Sequence, residues 1–113
     1  MSDECRKYLI EQDDGPDLRF TGKRIASAAS STERQSGVYS GQVGTWDELE
    51  LYQTTAGSFV CVFENCTAWQ GERNVRRTTV ANDATAVINF FGQGWLAKMI
   101  YDEAGIENVQ DVA

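Results

Sequence analysis

The spacing of apolar residues changes once along this chain, near Asn82, and that change limits the folds open to it. Before Asn82, short stretches either alternate apolar with polar residues or are continuously apolar, as strands are; after it, apolar residues recur at helical spacing. Strands followed by helices predict an antiparallel sheet with its helices on one face. We therefore expect an α+β fold of about four strands followed by a C-terminal pair of helices.

Four stretches carry the strand pattern. They are residues 18–26, 46–54, 58–63 and 74–81. In the second, Leu49 and Leu51 share one face, which we expect to point inward, while Glu50 and Tyr52 share the other. The third is apolar on both faces, which is typical of a central strand. The short turn at Gly57 predicts a hairpin between the second and third strands.

Two helices are predicted after residue 82. Asn82 or Asp83 is a suitable N-cap for the first, and Gly105 for the end of the second. The apolar stripe of the first helix comprises Ala84, Val87, Ile88 and Phe91. That of the second comprises Trp95, Leu96, Met99 and Ile100. This pattern places Trp95 in the core, with Ile106 packed back beneath the second helix.

The length of 113 residues fits a single domain, residues 1–113. Residues 27–45 are rich in Ser and Gly and are long for a connection inside a compact domain, so we predict a flexible loop there. Such a loop is either a disordered insertion or a functional element. In the second case, Arg34 and Tyr39 would be its contact residues.

The formal net charge is −7, from 17 acidic and 10 basic residues. Residues 1–17 hold six acidic and two basic residues, and residues 78–113 hold five acidic and one basic. This charge disfavours direct binding to nucleic acid and favours solubility or a basic partner. No apolar run approaches the roughly 20 residues of a membrane span, and Met1 does not begin a basic and then apolar leader. These features predict a cytoplasmic protein that does not contact a membrane.

The chain contains no histidine, which excludes Ser-His-Asp and Cys-His catalysis and mixed Cys/His zinc sites. Its cysteines, Cys5, Cys61 and Cys66, are odd in number and form no CxxC pair, so we expect reduced thiols. Cys61 lies in an apolar run and should be buried, whereas Cys66 should be exposed. Glu48 and Glu50 could act as an acid and a base, although a solvated strand face has the same pattern. We predict no catalytic residue, metal ion or cofactor.

Binding to a protein is better supported by the residue types. Three arginines cluster near residue 75, and arginine and tryptophan are common in interface hot spots. Charges that balance the acidic ends of the chain would explain the arginines equally well. The candidate partner-binding residues are Tyr39, Glu48, Glu50, Trp69, Arg73, Arg76 and Arg77.

Four phrases carry a resemblance to known proteins. They are residues 17–22 (DLRFTG), 48–54 (ELELYQT), 69–72 (WQGE) and 90–98 (FFGQGWLAK). Together they resemble a group of small uncharacterised proteins carried on plasmids and other mobile elements of proteobacteria, from about Asp17 to Ile106. The resemblance implies a genetic setting in which small acidic proteins often inhibit host defences; it implies no catalytic residue.

The function predicted from these observations is a non-catalytic protein-interaction module encoded by a mobile element. Its most specific form is an acidic inhibitor of CRISPR or restriction machinery, which would occupy the groove of a basic nucleic-acid-binding protein. One alternative is a small carboxylate- or thiol-dependent enzyme that uses Glu48, Glu50 or Cys66. Another is a homo-oligomeric accessory protein that dimerises through its fourth strand or its helices.

Overall fold

The computed structural model describes residues 5–13, 15–30, 45–67 and 74–112. In these ranges the chain forms an antiparallel sheet followed by two helices. The elements are β1 (Arg6–Ile10), β2 (Leu18–Ala29), β3 (Thr45–Thr54), β4 (Phe59–Thr67), β5 (Val75–Ala81), α1 (Ala84–Phe91) and α2 (Trp95–Ala104). Neighbours in the sheet follow chain order, β1 to β5. The α+β prediction is confirmed, with one strand more than expected.

The additional strand is β1. It pairs with β2 in a register that sets Tyr8 opposite Phe20 and Leu9 opposite Arg19. The alternation of apolar and polar residues that is typical of a strand is hard to see in β1. Two of its five residues are basic and Leu9 is exposed, and only Tyr8 and Ile10 pack against apolar neighbours. The pattern therefore resembles that of a charged terminal segment rather than a strand.

One face of the sheet is covered by the helices, and we call it the helix-covered face. Leu49, Leu51 and Cys61 lie there in one cluster with Ile100 of α2. A register shift between Arg24 and Ala26 turns β2 over, so that Ala26 and later Ala28 reach this face. Their small side chains let α2 pack closely on β2.

The opposite face is also partly buried, although no helix in the described ranges lies on it. Tyr8, Phe20 and Tyr52 form an aromatic cluster there, with ring centroids 4.8 to 5.5 Å apart. The sheet curls around this cluster, and we call this side the curled face. Gly22 lies at the tightest point, because a Cβ atom there would collide with the backbone oxygen of Gln53.

The curl brings the first hairpin of the sheet to its last strand. The Asp13 N–H donates to the Arg76 carbonyl at 3.2 Å, and the Arg76 N–H donates to Asp13 Oδ2 at 2.8 Å. The loop between β1 and β2 therefore lies against the start of β5, although the two segments are more than 60 residues apart in the sequence.

The first helix and the turn between β3 and β4 are as predicted. Asp83 is the N-cap of α1, and its Oδ1 accepts the Ala86 N–H at 2.9 Å. The Thr54 N–H donates to the Ser58 carbonyl at 2.8 Å, and Gly57 has a φ of +97°, as the tight β3–β4 hairpin requires.

The predicted stripe of α2 is only half right. Leu96 and Ile100 are buried, but their buried neighbours are Ala97 and Tyr101, while Trp95 is 64% exposed and Met99 45% exposed. Leu96 and Ile100 belong both to the predicted stripe and to the observed buried stripe, so helical spacing alone does not distinguish the two stripes. Tyr101 fixes which face of α2 turns toward the sheet, because its hydroxyl donates to the Gly92 carbonyl at 2.6 Å from within the core. The expectation that Trp95 is a core residue is therefore wrong.

Ile106 packs against the core after Gly105 ends α2, as predicted. At the two ends of the predicted loop over 27–45, Ser27 belongs to β2 and Thr45 begins β3. Residues 31–44, with Arg34 and Tyr39, lie outside the described residues. Across the described ranges, no helix is both long enough and apolar enough to span a membrane.

Candidate functional site

The predicted partner-binding residues do not form one patch. Tyr39, Trp69 and Arg73 lie outside the described residues. Glu48, Glu50 and Arg76 lie on the curled face, and Arg77 lies on the helix-covered face. Because consecutive strand residues point to opposite sides, the adjacent arginines of β5 are separated by the sheet itself.

Glu48, Glu64 and Arg76 form a row across β3, β4 and β5. Two carboxylates directly opposite each other destabilise a sheet. Arg76 offsets this repulsion, because its Nη2 and Nε lie 3.0 and 3.3 Å from Glu64 Oε1. Burial disfavours the charge of Arg76, but its bond to Glu64 and the surrounding carboxylates outweigh burial and leave its pKa above the ordinary value.

Glu48 and Glu50 both lie on the curled face, but each accepts a hydrogen bond from a different side chain. The indole Nε1 of Trp46 donates to Glu48 Oε2 at 2.9 Å. Glu50 accepts the Tyr52 hydroxyl at 2.8 Å and pairs with Arg24 at 3.4 Å. Burial, followed by this bond to Glu50, raises the pKa of Tyr52. The two carboxylates therefore have structural partners of their own.

Cys66 is buried, with 4% of its surface exposed, so the expectation of an exposed thiol is wrong. It lies opposite Trp46 in the β3–β4 register, on the curled face. Burial first, and then the charges of Glu48 and Glu64, raise its pKa to about 11. A protonated thiol is a weak nucleophile at neutral pH. Cys61 is buried as predicted, and burial raises its pKa to about 12.

Glu48, Glu64 and Cys66 are the described group that could hold a metal ion, since their ligand atoms lie within 4.8 Å of one another. The local electrostatics oppose this use. Glu64 is already paired with Arg76, and the Cys66 thiol must lose a proton that its surroundings retain.

A cavity of about 260 Å³ opens where the β1–β2 loop meets β5, and we call it the acidic cavity. Its lining residues are Glu11, Gln12, Asp13, Asp17, Glu64, Asn74 and Arg76. Four of these carry carboxylates and one a guanidinium group. The Asn74 Nδ2 donates to Glu64 Oε2 at 3.2 Å and helps to fix that wall. Sequence reasoning missed this cavity because its walls come from three separate segments.

A larger cleft, of about 590 Å³, lies on the helix-covered face where α1 and α2 meet, and we call it the aromatic cleft. Its aromatic lining residues are Phe63, Phe90, Phe91 and Trp95. Arg77 lies over the Phe63 ring, with its guanidinium carbon 5.4 Å from the ring centroid. The prediction of Trp95 as a core residue hid this cleft, because an exposed Trp95 forms part of its wall.

In comparisons with known proteins, no protein-family model, curated protein or solved structure matches this chain.

Proposed function

We propose that this protein is a non-catalytic protein-interaction module whose acidic cavity binds a lysine or arginine side chain of a basic partner protein. The observation that carries the proposal is the convergence of four carboxylates from three segments around one cavity with a single guanidinium group. That guanidinium belongs to Arg76, which already pairs with Glu64. An incoming cation would therefore meet a surplus of negative charge.

The concave shape strengthens this attraction, because a cleft lined by charge of one sign focuses its electric field. The volume of about 260 Å³ is below that of pockets for drug-sized ligands, which start at roughly 300 Å³, and suits a single protruding side chain. Glu48 and Glu50 extend the negative surface along the same face.

Basic side chains are most concentrated on proteins that bind nucleic acid, where they contact phosphates. A module with this face would compete with nucleic acid for such a groove. The resemblance to mobile-element proteins supports the most specific form of the proposal, inhibition of CRISPR or restriction machinery. The negative charge of the whole chain would speed the encounter with such a partner.

A non-catalytic role is supported by the state of the reactive groups. The Cys66 thiol holds its proton at neutral pH, and Glu48 and Glu50 are each occupied by a donor. A carboxylate- or thiol-dependent enzyme is the weaker alternative for these reasons.

Assembly of identical copies through β5 is a second candidate. Both backbone groups of Arg76 bond to Asp13, so the same side of β5 carries the backbone groups of Thr78 and Val80. Val80 is also 55% exposed. This edge could pair with β5 of a second copy, which light scattering across a range of concentrations would detect.

The test of the main proposal is recovery of partners from host lysate at low and at high salt, with bait variants that change the acidic cavity. The double variant Glu11→Gln with Asp17→Asn removes two carboxylates from its rim. A matched control, Asp102→Asn with Glu107→Gln, removes two exposed carboxylates elsewhere. Two rim charges contribute about 1–2 kcal/mol, so we expect a roughly 5- to 30-fold weaker interaction only for the cavity variant.

Recovery of a nucleic-acid-binding protein at low salt, and its loss with the cavity variant, would support the proposal. Equal recovery by both double variants would overturn the assignment to the acidic cavity. Self-association of the bait without any host protein would favour assembly through β5 instead.

A further inference from the structure

The aromatic cleft differs from the acidic cavity in size, charge and lining, and a basic partner does not explain it. Phe63 enters from β4, while Phe90 and Phe91 come from the last turn of α1. The rings of Phe90 and Phe91 meet edge to face, with centroids 5.3 Å apart. Trp95 adds a fourth ring at the start of α2. Such walls favour a flat aromatic group, which can stack or make edge contacts with several rings.

The positive group of the cleft is Arg77. Throughout the described ranges, no carboxylate lies within ion-pair distance of its guanidinium group. Asp47 also lines the cleft and brings one negative charge to it, which Asn65 Nδ2 offsets in part by donating to Asp47 Oδ1 at 2.8 Å. Arginine offers paired N–H donors in a plane that match a carboxylate, and here the guanidinium carbon lies over the Phe63 ring.

The first turn of α2 adds positive potential to the same cleft. Gly94, Trp95, Leu96 and Ala97 all line it, and the N-cap Gly94 has no side chain to accept their N–H groups. This end of a helix favours a negative charge. Arg77 and this end of α2 are thus complementary to an anion, and the apolar walls of the cleft to an aromatic ring.

We propose that the aromatic cleft binds a small aromatic carboxylate, with its ring among Phe63, Phe91 and Trp95 and its carboxylate on Arg77. The volume of about 590 Å³ lies within the range of small-molecule sites, roughly 300–1,000 Å³. The site is on the opposite face from the acidic cavity, so this inference does not depend on the partner proposed above.

The test is a titration of the full chain with phenylacetate and with indoleacetate, followed by amide chemical shifts in nuclear magnetic resonance. Phenylacetamide, which has the same ring without the charge, is the matched ligand control. We expect saturable shifts at residues 77 and 94–97 with a Kd near or below about 1 mM, and at least about tenfold weaker binding of the amide.

Two protein variants separate the cleft from general charge effects. Arg77→Gln should weaken binding of both carboxylates at least about tenfold. Arg19→Gln makes the same change of charge on β2, and it should leave binding unchanged. Both positions are exposed, so both variants should fold.

Equal binding of phenylacetate and phenylacetamide would overturn the proposal, because Arg77 would then contribute nothing. Unchanged binding by Arg77→Gln, or shifts that do not saturate up to about 10 mM ligand, would overturn it as well.

Discussion

The curled face and the helix-covered face share the strands β3, β4 and β5, yet they present opposite chemistry along these strands. On the curled face, carboxylates accept hydrogen bonds from neighbouring side chains, and Arg76 forms an ion pair with Glu64. On the helix-covered face, aromatic rings line a cleft in which Arg77 lies over the Phe63 ring and makes no ion pair with a described residue. One strand thus supplies a structural arginine and a candidate binding arginine at adjacent positions.

This contrast shows that clusters in the sequence of a strand are not clusters in space. Residues two apart share a face, while adjacent residues are separated by the thickness of the sheet. A site on a meander sheet is therefore assembled across strands, as Glu48, Glu64 and Arg76 are.

The largest expected difference concerns isoleucines in the two apolar clusters. Ile100 of α2 is fully buried in the cluster between the helices and the sheet, whereas Ile10 is 7% exposed and lies on the edge strand β1, on the curled face. Truncation of a buried isoleucine costs about 2–5 kcal/mol, depending on how far the site can collapse. We expect Ile100→Ala near the upper end of that range and Ile10→Ala near the lower end, measured by urea unfolding. Equal losses would mean that the curled face is packed as tightly as the helical core.

Alkaline pH should destabilise the folded chain through its buried thiol Cys66. The folded state raises the pKa of Cys66 from 9.0 to about 11, so between these values the folded chain holds a proton that the unfolded chain releases. Stability therefore falls as pH rises through this window, by about 1–3 kcal/mol for this thiol. Cys66→Ala should reduce that loss in unfolding experiments, while Cys5→Ala, at an exposed site, should not.

The cause of the shift can be tested separately, because carboxylates raise the pKa of Cys66 but not that of Cys61. Glu48→Gln should lower the pKa of Cys66 and leave that of Cys61 unchanged, as measured by the pH dependence of thiol alkylation. If both thiols shift together, the change is in burial rather than in charge.

The adjacent arginines give a smaller but direct comparison. Arg76→Gln leaves the half-buried Glu64 opposite Glu48 without its cation, and should cost about 1–2 kcal/mol after allowance for the 36% exposure of the arginine. Arg77→Gln should change stability by less than about 0.5 kcal/mol, because it breaks no ion pair with a described residue. If Arg77→Gln is the more harmful substitution, the assignment of structural and binding roles is reversed.

The order of elements from β2 to α2 and the inward face of β3 could be read from the sequence, because Leu49 and Leu51 alternate with charged residues and Asp83 is a strong cap. The sites could not. The acidic cavity depends on the curl that brings Asp13 to Arg76, and no local pattern encodes that contact. The burial of Cys66 depends on its register opposite Trp46. The acidic cavity and the burial of Cys66 both depend on contacts between residues far apart in the sequence, whereas apolar periodicity reports only local structure.

The smallest expected effect tests the rotation of α2. If Trp95 were a core residue, as its spacing suggests, Trp95→Ala would cost about 3–5 kcal/mol. Because the side chain is 64% exposed in the wall of the aromatic cleft, we expect a loss below about 1 kcal/mol in urea unfolding. Leu96→Ala, one residue later and 9% exposed, is the matched control and should cost at least about 2 kcal/mol. A small loss at Trp95 beside a large one at Leu96 would mean that this tryptophan contributes little to folding, leaving its large aromatic surface available for a ligand.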